Sequence, residues 1–316
     1  MISKNSKIFL AGHLGLIGSA MKKFLERNKF KNILTQTRYQ LDLMDTYKTS
    51  NFIKKNKPDL VVIAAGKTGG IEENKKSPYN LIYENLQLQS SLINACHEND
   101  VKKTIFFGSS CMYPNNICNN ISEDMLLTGE MESSSLPYAV SKIAGVQMCL
   151  ALNKQFNKNS FFPLIPNSVY GPNDNFNPEK GHVLSSLIYK FHQAKKMSKN
   201  EITLWGTGKP IREFIFSEDL ADACMHIISS KQTDIIFPIN ISSGQEYSIS
   251  ELSYIIAKII GYKGKINWDT NKPDGTYKKT LDTKRINQIG WKPTTNIEDG
   301  IALTYEWYLE NLDVSI

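Results

Sequence analysis

Along this chain the apolar residues fall into short unbroken runs set between polar stretches. Ile8-Phe9-Leu10-Ala11, Asn32-Ile33-Leu34-Thr35, Leu60-Val61-Val62-Ile63-Ala64-Ala65 and Lys103-Thr104-Ile105-Phe106-Phe107 are the clearest. Continuous runs, in place of strict alternation, mark parallel strands covered on both faces. Residues 16–28 repeat apolar positions at helical spacing, and a further helix is expected over about 78–97. Strands alternating with helices predict an α/β chain built on a doubly wound parallel sheet. Beyond residue 168 the alternation loosens, and Pro, Asn and Gly become frequent. A helix over 183–195 and a strand over 202–205 predict a smaller α/β lobe. Residues 214–219 and the helix after them read as a return to the main sheet, so the lobe is discontinuous. The expected division is 1–167 with about 213–242 for the sheet domain, and about 168–212 with 243–316 for the lobe.

The first strand ends in Gly12-x-x-Gly15-x-x-Gly18, which opens the first helix. Glycines at this spacing let the backbone turn sharply and approach a pyrophosphate seated over the helix N-terminus, the fingerprint of a Rossmann-type dinucleotide site. Three spaced glycines alone say little; their place between strand and helix gives them weight. A dinucleotide site for NAD usually carries an acid at the end of the second strand. Here the chain reads Gln36-Thr37-Arg38, and a cation there suits the 2′-phosphate of NADP(H). The plainer reading of Arg38 is a surface arginine. Asp42, close behind, stands where an acid or the backbone can meet the adenine.

Ser109 follows the strand that ends at Phe107, so it lies at the carboxyl edge of the sheet, where open α/β folds bind ligands. Tyr138 and Lys142 are four apart at the start of a helix entered through Pro137, and so share one face. An ammonium beside a phenol favours the ionised form and is expected to lower the Tyr138 pKa from ~10 toward neutrality. Tyr138 can then exchange a proton with a carbonyl oxygen that Ser109 also hydrogen-bonds, while hydride moves between nicotinamide and carbon. The bland alternative is an exposed tyrosine and lysine without a role.

Composition narrows the class further. At 316 residues, 41% hydrophobic and 22% charged, the chain has ample core to bury and ordinary globular proportions. No apolar stretch approaches the ~20 residues that span a bilayer, and no signal pattern precedes the first strand; a cytoplasmic protein off the membrane is expected. The five cysteines, Cys96, Cys111, Cys118, Cys149 and Cys224, show neither a CxxC pair nor metal-ligand spacing, so reduced thiols and no metal are expected. The formal charge of +6 comes from scattered lysines. The densest group, Lys195-Lys196 with Lys199, reads as a solvated face and not as a nucleic-acid patch. Mild basicity suits anionic ligands such as dinucleotides and nucleotide sugars.

Several further motifs carry a resemblance: Gly66-Lys67-Thr68-Gly69-Gly70-Ile71, Gly108-Ser109-Ser110-Cys111-Met112-Tyr113-Pro114, Tyr170-Gly171-Pro172-Asn173-Asp174-Asn175-Phe176, Trp205-Gly206-Thr207-Gly208 with Arg212-Glu213-Phe214, and Lys272-Pro273-Asp274-Gly275-Thr276. With them the chain resembles, nearly end to end, the extended short-chain dehydrogenases/reductases that act on nucleotide sugars, and within them the GDP-L-fucose synthase group. The cysteine motif and the Gly-Pro-x-Asp-Asn-Phe motif are the specific ones. The resemblance implies NADPH-dependent reduction of the C4 ketone of a GDP-4-keto-6-deoxy sugar, after epimerisation at C3 and C5, by a homodimer paired through helices that include the one carrying Tyr138.

In a 4-keto sugar the C3 and C5 hydrogens flank the ketone and are acidic through an enolate. The resemblance assigns the base that removes them to Cys111 and the acid on the opposite face to His182. A thiol with an ordinary pKa of ~8.5 needs nearby cations for this task. A lone cysteine after a strand is more often a small buried residue, and a lone histidine more often a loop residue. The resemblance places the cofactor against Gly12, Gly15, Leu16, Ile17, Gly18, Arg38, Asp42, Ala64, Ala65, Lys142, Pro166 and His182. Lys67, Asn167, Asn175, Lys190, Trp205, Arg212, Lys272 and Asp274 are the expected substrate contacts. Arg212 is the choice for the diphosphate because its planar fork matches phosphate oxygens; its alternative is an ion pair with Glu213 or Asp219.

Related dehydratases carry an Asp-Glu pair where this chain has Ser110-Cys111, so dehydration lacks its acid and base. The chain departs from the group at Leu14 and at Lys190, where the group has arginines. Leu14 leaves Arg38 to do more for the 2′-phosphate, and Lys190 leaves the sugar open. Three other readings stand beside the first: C4 reduction alone on a GDP-4-keto-6-deoxyheptose, 4-epimerisation of a nucleotide sugar with bound NAD, and a non-catalytic dinucleotide sensor.

Overall fold

A computed structural model describes residues 2–115, 117, 120–178, 181–232, 235–272 and 274–312; Cys118 and Pro273 lie outside the described residues. The first half runs β1 (Lys7–Ala11), α1 (Leu16–Arg27), β2 (Asn32–Gln36), α2 (Thr46–Asn56), β3 (Leu60–Ile63), α3 (Ile71–Lys76), α4 (Pro78–Glu98), β4 (Lys103–Phe107), α5 (Leu136–Gln155) and β5 (Phe161–Pro166). The second half adds β6 (Ser168–Tyr170), α6 (Val183–Lys196), β7 (Glu201–Trp205), β8 (Ile211–Phe216), α7 (Ser217–Ser229), β9 (Ile239–Ile241), β10 (Glu246–Ser248), α8 (Ile249–Ile260), β11 (Lys265–Asp269), β12 (Lys278–Lys279), α9 (Lys284–Gln288) and α10 (Ile297–Glu310).

Six strands form one sheet in the order β2-β1-β3-β4-β5-β9, every neighbouring pair parallel. Alternate residues of each strand feed opposite faces. Ile8, Leu10, Leu60 and Val62 join a core closed by Met21 and Leu25 of α1 and Leu220 and Cys224 of α7. Phe9, Ala11, Val61 and Ile63 join a second core closed by Leu92 and Cys96 of α4 and Val146 and Cys149 of α5. Burial on both faces is why the strands read as unbroken apolar runs. The chain leaves β1 in one direction to β2 and in the other to β3, so the switch point lies beside β1, and a crevice opens at the strands' carboxyl ends there.

The lobe has its own core, in which Leu187, Ile188 and Phe191 of α6 meet Leu252 and Ile256 of α8 and Ile301 and Tyr308 of α10. Its strand β8 pairs with β6, β10 and β12. Residues 214–216 therefore do not enter the main sheet, against the sequence expectation. The return is made afterwards, by α7 against α1 and by β9 beside β5. The expectation fails because β8 is a seam: Phe214 and Phe216 face the lobe core while Ile215 faces the first sheet core, and such a strand is as apolar as one in the sheet.

One helical stretch, Ser133–Gln155, is long and apolar enough by length and composition alone to cross a bilayer. Its inner face carries the buried Ser141 and Lys142 and packs on α4 and β5, which are the contacts of a core helix.

Candidate active site

The crevice beside β1 is a cleft of about 480 Å³ lined from three strand ends: Gly12–Gly15 after β1, Gln36–Arg38 after β2, and Ala64–Lys67 after β3. Gly12 has φ +86°, and a Cβ there would lie 2.5 Å from the Ala65 nitrogen. A Cβ on Gly18 would lie 2.0 Å from the Gly12 carbonyl oxygen. Glycine is required at both. Gly15 caps α1 without a side-chain bond, which leaves the first helical N–H groups facing the cleft. These features fit a dinucleotide pyrophosphate. Leu16 and Ile17 are partly buried in the first turn of α1, Gly18 is buried beneath it, and Pro166 is buried at the end of β5.

Arg38 stands at the cleft's edge, with Nη1 3.2 Å from Glu84 Oε2 and Nε 3.8 Å from Asp42 Oδ2. The other Glu84 oxygen lies 3.0 Å from Lys67 Nζ. Lys67, expected as a substrate contact, lines the cleft beside β1 with the glycine turn. Its loop is held by the buried Asn85, which accepts from the Lys67 N–H at 2.8 Å and donates to its carbonyl at 2.9 Å. Leu14 is 70% exposed at the rim and brings no charge.

Ser109, Cys111, Tyr138 and Lys142 come together at the carboxyl end of β4. The Ser109 hydroxyl oxygen accepts the Cys111 N–H at 3.2 Å and also hydrogen-bonds Tyr138. Lys142 is buried, donates to the Phe107 carbonyl at 3.1 Å and lies 6.0 Å from the centre of the Tyr138 ring. Burial pushes the Tyr138 phenol above its ordinary range; the nearby Cys111 adds to this and the Ser109 bond opposes it. Burial pushes Lys142 down to about 8. The expected lowering of the Tyr138 pKa by Lys142 is not found: desolvation is the largest influence on the phenol and raises it.

The sequence reading passed over Lys279. Its Nζ donates to Cys111 Sγ at 3.8 Å and lies 4.0 Å from Glu132 Oε2. Period-two alternation in β12 was the available signal, because Lys278 turns to Glu246 at 2.8 Å while Lys279 turns to the cysteine. Asn167 is buried nearby, donating to Glu213 at 3.1 Å and to the Lys279 carbonyl at 3.4 Å, with its own Oδ1 unpartnered.

His182 is exposed at the N-cap of α6, within electrostatic reach of Asp174. Burial raises the Asp174 carboxyl, which accepts a hydrogen bond from Ser185. Among the described residues no hydrogen bond joins His182 to Cys111 or Tyr138. Asn175 accepts the Asn177 N–H at 3.0 Å within its own turn.

Three expected substrate contacts do meet. Trp205 is 60% exposed, with Lys190 Nζ 5.6 Å and Lys272 Nζ 5.4 Å from its ring centre. Asp274 accepts from the Thr207 N–H at 2.6 Å and its hydroxyl at 2.7 Å, fixing the turn after the tryptophan. Arg212 donates to the Ile211 carbonyl at 2.8 Å and feels Glu132 and Asp274. Glu213 is instead committed to Gly244, Leu281 and Asn167, and Asp219 to Thr294 and Thr295, so Arg212 has neither expected structural partner.

A doubly wound sheet with a glycine-turn cleft, and a serine, tyrosine and lysine gathered at its carboxyl edge, defines the architecture of the extended short-chain dehydrogenases/reductases. The chain belongs to the NAD dependent epimerase/dehydratase family, whose model matches residues 8–241. It is 42% identical to a putative GDP-L-fucose synthase 2 of Arabidopsis thaliana over 99% of this chain and 94% of that protein. It is 38% identical to the GDP-L-fucose synthase of Escherichia coli K12, over 97% of this chain and 98% of that one. Among solved structures, a GDP-mannoheptose C4 reductase from Campylobacter jejuni with NADP bound superposes with a TM-score of 0.90, at 35% identity, over 98% of this chain and 100% of that chain.

Proposed function

We propose that this protein is an NADP-dependent nucleotide-sugar epimerase/reductase that reduces the C4 ketone of a GDP-4-keto-6-deoxy sugar after epimerisation at C3 and C5. The observation that carries this reading is the Ser109–Tyr138–Lys142 cluster with a cation-paired cysteine beside it. Bound NADPH supplies the hydride. Tyr138, kept protonated by burial, gives its proton to the C4 oxygen, and Ser109 hydrogen-bonds the same oxygen. Lys142 holds the nicotinamide ribose. Cys111 takes the proton from the carbon beside the ketone, Lys279 stabilises negative charge on the sulfur, and His182 returns a proton from the other face. Gly12, Gly15 and Gly18 admit the pyrophosphate, and Arg38 receives the 2′-phosphate. Lys190, Trp205, Arg212 and Lys272 receive the GDP-sugar, with Asp274 bracing their turn. The dinucleotide is assigned to 1–167 with about 213–242, and the sugar nucleotide to the remainder.

A second reading is C4 reduction alone, on a related GDP-4-keto-6-deoxyheptose. The relative that reduces a GDP-mannoheptose at C4 favours it. Incubation with GDP-4-keto-6-deoxymannose and NADPH in heavy water tests both. Oxidation of NADPH with deuterium at C3 and C5 supports the first reading; oxidation without deuterium supports the second; no oxidation rejects this substrate.

We infer a homodimer that covers the outer face of α5, since Leu136 and Val140 of that apolar helix are exposed within one chain. The free thiols of Cys96, Cys111, Cys149 and Cys224 fit a reducing compartment, and we assign the protein to the cytoplasm.

A further inference from the structure

The cofactor cleft contains a carboxylate clamp. One oxygen of Glu84 lies 3.2 Å from Arg38 Nη1, and the other lies 3.0 Å from Lys67 Nζ. The three side chains come from separate elements: the β2 end, the β3 end and helix α4. All three line the same cleft as Gly12. Lys67 is not there by the chance of a flexible stem, because its peptide is bonded on both sides to Asn85, whose side chain is wholly buried next to Glu84 in sequence. Lys67 and then Arg38 hold the Glu84 carboxyl below the usual carboxylate range. Glu84 is thus an anion bridging two cations at the cleft's ribose edge, and a phosphate dianion is the other ligand such a pair of cations fits.

Resting on the NADP(H) reading, we propose that Lys67 is the second cation of the 2′-phosphate site and that Glu84 is an internal competitor that occupies both cations until the phosphate displaces it. With Leu14 at the rim contributing nothing, Arg38 and Lys67 supply the positive charge. Glu84 has opposite effects on the two cofactors. It must be displaced by a 2′-phosphate, yet it can accept a hydrogen bond from the 2′-hydroxyl of NAD(H), the role an acid plays in NAD-specific folds. The clamp therefore sets a modest preference for NADP(H) in place of a strict one.

Direct calorimetric titration of the full-length protein with NADP+ and with NAD+, without sugar substrate, tests this. Lys67→Met is expected to weaken NADP+ roughly tenfold or more, the loss of one charge-assisted contact, with NAD+ within about twofold. Lys67→Arg should restore NADP+ binding. Glu84→Gln is expected to tighten NADP+ and weaken NAD+. Equal effects of Lys67→Met on both cofactors would overturn the proposal, as would weaker NADP+ binding in Glu84→Gln, which would make Glu84 a support for Arg38. If the unaltered protein bound neither nucleotide, the NADP(H) reading itself would fall; binding without discrimination by these variants sinks the clamp alone. Thermal melts of each variant separate a folding defect from a lost contact.

Discussion

The Lys279 ammonium lies 3.8 Å from the Cys111 sulfur, and it is the cation that a cysteine base would need. The other described cysteines differ in kind: Cys96, Cys149 and Cys224 are wholly buried and burial pushes their thiols up, Cys96 to about 12. Cys111 alone among them is part-exposed. Lys279→Met should slow deuterium incorporation at C3 and C5 about 10-fold or more, the scale of a lost charge-assisted contact, while NADPH oxidation at C4 persists. Cys111→Ser should abolish incorporation. NMR of the product in heavy water reads both, and unchanged incorporation in Lys279→Met would remove the lysine from the mechanism.

Tyr138 stands as a neutral phenol and not as a resting phenolate. Burial and the neighbouring sulfur hold its phenol above the ordinary range, so its proton is present throughout the neutral region. Tyr138→Phe keeps the ring and removes only the hydroxyl. Turnover should fall by ~10²–10⁴, the span of general acid catalysis, with NADP+ affinity within about twofold and exchange at C3 and C5 retained. Steady-state rates beside a binding titration check this; a variant with full turnover would displace Tyr138 from the reaction.

Much of the sheet was legible because a parallel strand buried on both faces leaves an unbroken apolar run, and β1, β3 and β4 each do. Gly12 and Gly18 were legible as well, since a Cβ has no room at either position. Helix α2 was not read: its sequence TYKTSNFIKKN buries only Thr49 and Ile53, and its start signal was the single side chain of Asp45 accepting from Lys48 at 2.9 Å. Strand β8 misled because it serves two cores. Lys279 and Glu84 were hidden for a different reason. Their partners are 168 and 46 residues away, and contacts of that span leave no local pattern.

Lys142 is buried at a cost in stability. It is 6% exposed, and burial brings its pKa from 10.5 down to about 8. The unfolded chain therefore binds more protons between those values, and stability rises with pH across that window. Below about pH 8 the buried ammonium destabilises the fold by roughly 3 kcal/mol on the scale of 1.36 kcal/mol per unit. Removing it also leaves the Phe107 carbonyl without this donor, at a cost of about 1 kcal/mol. Lys142→Met should then stabilise the cofactor-free protein by about 1–2 kcal/mol at pH 7, with the gain shrinking toward pH 10 and reduction lost. Urea melts at the two pH values measure it; equal or lower stability at pH 7 would contradict the assigned burial cost.

Trp205 is an exposed aromatic of the lobe, with two ammonium groups within 6 Å of its ring: Lys190 at 5.6 Å and Lys272 at 5.4 Å. Burial pushes Lys190 down, and the two like charges gain little from one partly solvated indole, about 0.5–1 kcal/mol each. An anionic ligand that also offers a flat face relieves the repulsion and covers the ring, and a sugar nucleotide has both parts. The ring is held ready by the turn that follows it. Gly206 has φ +77°, and Asp274 accepts two bonds from Thr207. Trp205→Ala should raise KM for the GDP-sugar about tenfold, the scale of one lost stacking contact with a base, with kcat nearly unchanged because an indole ring moves neither proton nor hydride in the proposed reaction. Asp274→Ala should give a smaller rise of the same kind, since it acts through the turn. The Lys190→Met and Lys272→Met pair should flatten the salt dependence of KM, because two charges proposed to receive the GDP-sugar are gone. Initial rates across ionic strength make the comparison, and a KM indifferent to all four substitutions would move the substrate off this face of the lobe.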